Sequence, residues 1–580
     1  MRNLTNGAVS RREDARGTSW SGRLRRPAVA MIAAGTALAF TLVTAGGSGL
    51  AGAASSGTKL ATSGPAGEGP YPWGYPASGN IKAGTGKTVS GQTCTPSTPQ
   101  FASPYADPCI PKFTGNNGGA TSRGVTATTI TLAERQFPST ANAQQLAADA
   151  SAAGDALPSV TDQVQQVFLN YFNNVYDLYG RKVVMQPFTA TGNSTAEALN
   201  QGQAQACADA TTVAEMPAFG EAGLPFDYQF GGTGPFSQCA ANDKVVEFDG
   251  DLYYDEGTFE SQNPYVWSTT QDCTRVSSLT SEVEGTLLAG KKAIYAGDPT
   301  LATQTRKFAS YVPNLPPYIN CTKRSINLLE TKYHVPASQI APTFYYNLDI
   351  ATFAQSAQQA VVQFKAAGVT TVVLACDPFS AGIITKAAAA QNYHPEWFII
   401  GTALTDQDQY VQSEDDLSEV QGHLFGMSEL SPSQDTYGPT SLAGKLYQKL
   451  TGHQIPAGTD GNYSQLVEIF DMLQAAGPDL TPQNLARGTH ALPQFGAPDY
   501  QYGNWTFNLG TNGNAGVGDH TASNTARFVY WNGTATSTVN GQKGTYVPIF
   551  GGKRFALGQW PKSLPKLFTA PGSAATASSG

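Results

Sequence analysis

The chain has 580 residues, which is more than one ordinary domain needs and enough to bury sizeable cores. Charged residues make up only 13%, about half the usual share, and the formal net charge is -8. This composition provides no basic surface, and no motif that reads DNA or RNA is present, so nucleic-acid binding is excluded.

Residues 1–53 have the pattern of a signal peptide. Arg23, Arg25 and Arg26 precede an apolar run at residues 27–43, and the small residues at 51–53 suit a cleavage site. An uncleaved membrane anchor is the alternative, although the run is short for a full span. We therefore expect an extracytoplasmic protein, secreted or at the cell surface, with no membrane span after the signal is removed.

Residues 54–123 are rich in Gly, Ser, Thr and Pro and lack helical or strand periodicity. This composition predicts a mobile linker or arm, with docking of its aromatic residues on the folded body as the alternative. Cysteines occur only beyond the signal peptide, and export favours disulfides between them. Cys94 and Cys109 form a plausible local bridge, while the other pairings stay open. No C-x-x-C spacing is present, so we predict no metal and no cofactor.

Ordered elements begin with a β-branched strand at Thr126. A helix at residues 160–177 and a strand at 181–188 follow. Residues 194–210 are predicted as a second helix, with Ser194 as its N-cap and Glu197 completing a capping box. Further strands are predicted at residues 211–219, 243–250 and 264–270.

A second set of alternating elements follows, and its clearest part runs from Gly368 to Gly401. Thr370 to Ala375 is an apolar run typical of a buried strand, Ser380 is the predicted N-cap of an Ala-rich helix, and residues 397–400 form the next strand. Helices are also predicted at 276–289, 323–333, 353–367, 441–452 and 463–486, with strands at 306–313 and 342–349 and a β-rich region at 505–550. Such alternation predicts an α/β fold with parallel sheets, and the two sets indicate two lobes.

The order of several segments resembles the type I periplasmic binding proteins, specifically the branched-chain amino-acid (Leu/Ile/Val) substrate-binding family of ABC importers. The matching segments include "LNYFNNVYDLYGRKVVM", "NPYVWSTTQD" and "FYYNLDIATFAQSAQQAVVQFKAAGVTTVVLACDPFSAGIITKAAAAQNYHPEWFIIG". The resemblance covers about residues 124–550. It implies lobe 1 at 124–270, completed by about 430–490, and lobe 2 at 271–429, completed by about 491–550. Residues 551–580 are then a C-terminal tail.

The resemblance also implies a ligand cleft between the lobes, bounded by loops at strand ends. The implied ligand-binding residues are Gln136, Asp249, Asp251, Asp377, Phe379, Thr405 and Asp406. Two departures from the family pattern argue against an ordinary α-amino-acid ligand. Met216 and Pro217 stand where the family has a Ser/Thr-rich loop that binds the ligand carboxylate. The acid of the second lobe is displaced to Asp406. Members of the family in Gram-positive bacteria are commonly lipoproteins with a Cys just after the leader, but no Cys precedes Cys94, so we expect the mature protein to be free or held by another partner.

Each candidate also has a structural interpretation. Asp377 can cap the following helix, and Phe379 can belong to the core. Cys376 as a nucleophile would need a histidine, and the nearest one, His394, lies at the opposite end of the helix, so a buried or disulfide cysteine is favoured. Tyr346 and Asp349 follow another strand and are candidates for the hinge.

The function indicated by these patterns is that of an exported solute-binding protein, not an enzyme. It would capture a small polar solute, such as an amino acid or amide, for an ABC permease, and act as a monomer. Two alternatives remain: a secreted sensor or interaction module on the same fold, and an extracellular hydrolase built on Asp519, His520 and Ser523. The hydrolase lacks a G-x-S-x-G nucleophile elbow. The sequence does not reveal which solute is bound.

Overall fold

The computed structural model describes residues 84–95, 97–138, 158–193, 196–197, 201–222, 234–248, 254–268, 271–428, 438–492, 495–496, 506–507, 520–521 and 525–568. These residues form a mixed α/β fold with two main sheets, whose parallel strands are flanked by helices. Each main sheet belongs to one lobe, as the alternating sequence pattern predicts.

Lobe 1 is built on a four-stranded parallel sheet in the order β2-β1-β3-β4. Its strands are β1 (Thr129–Gln136), β2 (Lys182–Thr189), β3 (Gly220–Glu221) and β4 (Val246–Glu247). Its first helices are α1 (Pro158–Val175), α2 (Gln203–Glu215), α3 (Gly234–Asn242) and α4 (Glu256–Gln262). Helix α1 forms because Val164, Phe168 and Phe172 recur at helical spacing and bury one apolar face in the lobe 1 core.

Lobe 2 is built on a larger sheet in the order β13-β12-β9-β8-β7-β5-β6, with β14 paired to β12. Strands β5 to β9 are parallel, and β12 runs antiparallel to β9. The elements up to β9 are α5 (Cys273–Glu282) with a π-helical turn (Val283–Leu288), α6 (Pro299–Ala302), β5 (Phe308–Pro313), α7 (Pro316–Thr331), a 3-10 turn (Ala337–Gln339), β6 (Phe344–Tyr346), α8 (Ile350–Ala366), β7 (Thr371–Leu374), α9 (Pro378–Ala390), β8 (Glu396–Ile399), α10 (Asp408–Glu414), α11 (Leu417–Val420) and β9 (Leu424–Ser428).

After β9 the chain returns to lobe 1 and later re-enters lobe 2. The remaining elements are α12 (Leu442–Thr451), α13 (Gly461–Ala476), α14 (Pro482–Ala491), a short ladder of β10 (Phe495–Gly496) with β11 (Thr506–Phe507), β12 (Thr525–Thr536), β13 (Lys543–Pro548), a 3-10 turn (Phe550–Gly552) and β14 (Phe555–Ala556). Helix α13 shares the lobe 1 core with α1: the ring of Phe172 lies 5.6 Å from that of Phe470.

Residues 84–123, with residue 96 outside the described part, are folded against lobe 1, and we call them the docked segment. Phe101 is buried and its ring lies 5.6 Å from that of Phe172 and 5.4 Å from that of Tyr176. Tyr105 and Ile110 are also buried. The expectation of a mobile linker is therefore wrong for this part of residues 54–123, because its few aromatic and apolar side chains enter the core.

Three local sequence interpretations are corrected by the structure. Residues 211–215, predicted as part of a strand, continue helix α2, and only Gly220–Glu221 is extended. Glu197 does not complete a capping box, since its carboxylate binds Arg135; Ser194 lies outside the described residues. Asp377, not Ser380, is the N-cap of α9, where its side chain accepts a 2.8 Å hydrogen bond from the main-chain N–H of Ser380.

Part of the predicted C-terminal tail is also folded. β14 pairs with the start of β12, and Trp560 and Leu567 are buried against lobe 2. Among the described residues, no helix is both long and apolar enough to cross a membrane. Cys94 and Cys109 are joined as the sequence predicts, and Cys207 is joined to Cys239.

Candidate ligand-binding cleft

The segments that cross between the lobes leave and enter at the carboxyl edges of the two sheets. The first crossing follows β4: Val266 pairs in parallel with Glu247, so the chain runs on in the strand direction to Ser268, which pairs with Thr521 of a later crossing. In lobe 2, β9 ends at Ser428, opposite Arg527 near the start of β12. Loops at both carboxyl edges therefore lie beside the crossings, where open α/β sheets bind ligands.

A closed polar network joins the first and last crossings. Asp272 caps α5 by accepting a 3.0 Å hydrogen bond from the main-chain N–H of Arg275, and it also accepts one of 3.3 Å from the Thr521 hydroxyl. The guanidinium of Arg275 donates a 2.7 Å hydrogen bond to the Thr521 carbonyl. Gln271 donates to the carbonyl of Thr525 at 2.8 Å. These contacts hold the first and last crossings together.

The lobe 1 candidate Gln136 lies at the carboxyl end of β1. Gln136 ends the strand with an exposed side chain. Beside it, the buried guanidinium of Arg135 binds Glu197 at 2.5 Å and Asp209 at 2.6 Å, and it lies 4.5 Å from the ring centre of Phe137. This ion-pair cluster anchors the strand end that carries Gln136.

The pKa values of the two acids that bind Arg135 are shifted in opposite directions. Burial raises the pKa of Glu197, although Arg135 opposes the shift. Burial also disfavours the charged form of Asp209, but hydrogen bonds from Thr191 and from Arg135 outweigh it, so the pKa of Asp209 is lowered. Asp249 and Asp251, the other lobe 1 candidates, lie outside the described residues.

Asp377 lies at the carboxyl end of β7, where it is held by the fold on two sides. One carboxylate oxygen caps α9, and the other accepts a 2.6 Å hydrogen bond from the hydroxyl of Tyr346 at the end of β6. Its side chain is buried, and burial raises its pKa. Asp377 and Tyr346 therefore hold each other at the ends of β7 and β6.

Phe379 and the neighbouring Cys376 belong to the lobe 2 core. The ring of Phe379 is 5% exposed and packs edge-on at 5.6 Å against Tyr410. Cys376 is fully buried in the same core. His394 lies before β8, at the amino edge, and binds Glu419 at 2.6 Å. The structure thus separates Cys376 from the histidine that a nucleophile would need.

The loop after β8 carries Thr405 and Asp406 and has an unusual backbone. Ala403 and Leu404 have φ angles of 48° and 63°, a conformation that costs L-residues energy and clusters at functional sites. The Thr405 hydroxyl donates to the Thr402 carbonyl at 2.8 Å, and the hydroxyl of Ser428 donates to Asp406 at 2.6 Å. Both side chains are buried, and these hydrogen bonds hold the loop in place.

Exposed amides occupy the ends of two other strands of lobe 2. Asn314 follows β5 and Asn347 follows β6, and their side chains lie 3.4 Å apart. Neither residue stood out in the sequence, because a single Asn after a strand is an ordinary loop residue. Asp349, the other hinge candidate, instead caps α8 through the main-chain N–H of Ala351.

His520 lies in the last crossing and is engaged there. Its Nδ1 lies 2.7 Å from the carboxylate of Glu256, and its ring is 5.2 Å from that of Trp267. Glu256, Glu260 and His520 bring ligand atoms within 4.8 Å of one another, but Glu260 is exposed and such groupings are common without a metal. Asp519 and Ser523, the other members of the hydrolase hypothesis, lie outside the described residues.

Comparison with known proteins identifies the fold. No family model and no curated protein matches the sequence. Among solved structures, the leucine-, isoleucine-, valine-, threonine- and alanine-binding protein from Brucella ovis, in a closed conformation, matches with a TM-score of 0.50 and 11% identity, covering 75% of this chain and 97% of that one.

Two further solved structures are similar over nearly their whole length. One is a solute-binding protein of an ABC transporter from Rhodopseudomonas palustris with 3,4-dihydroxybenzoic acid, with a TM-score of 0.47, 13% identity and coverage of 74% of this chain and 98% of that chain. The other is a branched-chain amino-acid substrate-binding protein from Streptococcus pneumoniae with isoleucine, with a TM-score of 0.46, 13% identity and coverage of 73% and 100%. The chain thus has the two-lobed type I periplasmic-binding-protein fold.

Proposed function

We propose, from this two-lobed fold and its shared gap, that the chain is an extracytoplasmic solute-binding protein that captures a small polar molecule for an ABC importer. The observation that carries the proposal is the placement of both carboxyl edges beside the same interlobe crossings. A molecule in this gap contacts both lobes only when they approach each other. Its differential contacts with the closed state therefore drive closure.

The exposed side chains at the gap indicate the class of ligand. Gln136, Asn314 and Asn347 offer neutral hydrogen-bond donors and acceptors, whereas Asp377 and Asp406 are committed to Tyr346 and Ser428. Amides of this kind suit an uncharged or zwitterionic polar solute, because they satisfy its polar groups without a buried net charge. Amino acids and their amides are therefore the first candidates.

The residues considered for catalysis support a binding role. The thiol of Cys376 is buried in the core, and burial raises its pKa, which disfavours the nucleophilic thiolate. His520 is held by Glu256 at a crossing, not beside a nucleophile identified in the described residues. Trapping and release of an unaltered solute is the activity that this arrangement supports.

The experiment is a thermal-shift screen of the mature protein with the common L-amino acids, their amides, 4-hydroxybenzoate and 3,4-dihydroxybenzoate. A ligand present at a hundred times its Kd stabilises the folded state by about 2.7 kcal/mol, so a true ligand raises the Tm measurably. No shift with any compound contradicts the proposed ligand class.

Variants then locate the ligand. Gln136→Ala and Asn347→Ala should each reduce the ligand-induced Tm shift, while Gln166→Ala, on the exposed face of α1, is the matched control that keeps it. Equal shifts in all three variants would remove these amides from the site. Loss of cellular uptake of the same compound on deletion of the protein tests the link to an importer.

A further inference from the structure

We propose that Cys273 and Cys321 form a third disulfide, which ties the start of lobe 2 to helix α7. The proposal rests on the extracytoplasmic location in the proposed function, because disulfides form and persist in oxidising compartments. No other property of the ligand site enters it.

The two cysteines are brought together by the packing of α5 on α7. Cys273 is the first residue of α5, and Cys321 lies in the first half of α7. The thiol of Cys321 donates a hydrogen bond to the main-chain carbonyl oxygen of Cys273 at 3.3 Å, which places the two cysteines side by side. Both side chains share a small apolar cluster with Val312, Leu315 and Tyr318.

Cys321 borders a cavity of about 40 Å³, together with Thr322 and Ser325 of the same helix. A disulfide holds its sulfur atoms about 2 Å apart. The cavity gives the Cys321 side chain space to change rotamer as the bond closes.

The chemistry is an oxidation by thiol–disulfide exchange. The two thiols lose two protons and two electrons, one S–S bond forms, and a disulfide of the oxidant is reduced to two thiols. In the folded chain, the hydrogen bond to Cys321 and burial both raise the pKa of the Cys273 thiol, so the thiolate that starts the exchange is disfavoured. We therefore expect oxidation during folding, before burial raises the thiol pKa.

The cysteine count is consistent with this pairing. Of the seven cysteines, two pairs are already joined, Cys94 with Cys109 and Cys207 with Cys239. A bond between Cys273 and Cys321 leaves one thiol, that of Cys376, which is fully buried in the lobe 2 core. This assignment explains the odd count without an intermolecular bridge.

The bond would brace the hinge side of lobe 2. Cys273 directly follows Asp272, which binds the hydroxyl of Thr521 in the last crossing. Its main-chain N–H also donates to the Tyr254 carbonyl at 2.8 Å, before the first crossing. A covalent link from this position to α7 would attach the crossings directly to a lobe 2 helix.

The test counts thiols in the exported full-length protein. The protein is denatured without reductant, alkylated with iodoacetamide and weighed intact by mass spectrometry. The proposal predicts one alkyl group per chain, and Cys273→Ser and Cys321→Ser should each accept two. Cys376→Ser is the matched control and should accept none.

A non-reduced tryptic digest identifies the partners, and it should contain peptide 245–275 linked to peptide 308–323. Three alkyl groups on the wild-type chain overturn the third disulfide but leave the extracytoplasmic location intact, because the other two bridges are then present. Seven alkyl groups contradict the location itself. A peptide linking Cys376 to either cysteine overturns the pairing.

Discussion

The main-chain N–H of Asp107 donates a 3.0 Å hydrogen bond to the carboxylate of Asp471, across a sequence separation of 364 residues. Asp471 lies in α13 and also accepts a 2.7 Å hydrogen bond from the hydroxyl of Tyr176. The carboxylate of Asp107 accepts hydrogen bonds from the side-chain amide of Gln474 at 2.8 and 2.7 Å. The docked segment is thus held to lobe 1 through two buried, neighbouring acids.

This buried pair should make the protein less stable as the pH rises. Burial raises the pKa of Asp107 and of Asp471, and the charge of Asp471 raises that of Asp107 further. The folded state therefore binds more protons than the unfolded state above the ordinary carboxyl pKa of about 4. The contribution of this pair to the free energy of unfolding is fully present below that pH. It is lost as the pH rises through the raised pKa values of the folded state, by about 1.4 kcal/mol per pH unit for each extra bound proton.

Urea unfolding between about pH 5 and pH 8 measures this dependence. Asp471→Asn keeps an acceptor for Asp107 and Tyr176 but cannot ionise, so it should flatten the pH profile. Asp349→Asn, at an exposed helix cap in lobe 2, is the control and should leave the profile as it is. A wild-type profile that rises or stays level over this range would refute the assignment.

Arg135 should be more important for folding than any exposed arginine. Replacing it with Ala leaves the buried carboxylates of Glu197 and Asp209 without their cation, a loss that costs about 3–5 kcal/mol in comparable pairs. Arg324→Ala, on the exposed face of α7, should change stability by less than about 0.5 kcal/mol. Similar urea midpoints for the two variants would argue against the ion-pair cluster.

The cap at Asp377 should cost more to remove than an ordinary one. Asp377→Ala deletes the N-cap of α9, worth about 1 kcal/mol, and also leaves the buried hydroxyl of Tyr346 without its acceptor, which adds about 1–3 kcal/mol. Asp349→Ala deletes only an exposed cap of α8. Thermal unfolding of both variants checks the difference, and equal losses would show that the Tyr346 contact contributes nothing.

Close packing of α9 on α10 makes Gly382 necessary. A Cβ at this position would collide with the main chain of Glu414, so Gly382→Ala should destabilise the protein by about 1–3 kcal/mol. Gly257→Ala, in the exposed helix α4, meets only the carboxylate of Asp255 at 3.3 Å and should be neutral or stabilising by up to about 1 kcal/mol. The opposite signs can be read from urea midpoints.

Local sequence patterns predicted the elements whose periodicity lies within consecutive residues. The apolar run at Thr371–Leu374 and the amphipathic helix α1 carry their periodicity in consecutive residues, and both are found near the predicted positions. The strand expected at residues 211–219 was wrong, because residues 211–215 continue helix α2, where Val213 is buried, and the extended residues are Gly220–Glu221. Tertiary packing outweighed propensity at this position.

The candidate site depended on contacts that no short window contains. Asp377 was placed correctly at a strand end, but its partner Tyr346 lies 31 residues away, and Arg135 binds Glu197 and Asp209 at separations of 62 and 74 residues. The docked segment was misjudged for the same reason, since composition conceals the few aromatic side chains that enter the core. A charged Arg within the buried strand β1 was the one local signal that an acidic partner must exist.

Equilibrium dialysis of the mature protein against the compound that gives the largest thermal shift tests the central claim most directly. One compound should bind per chain, and mass spectrometry should recover it chemically unchanged after the protein is denatured, with binding reduced in Gln136→Ala and kept in Gln166→Ala. Steady consumption of the compound, or full binding by Gln136→Ala and Asn347→Ala, would contradict capture between the two sheet edges.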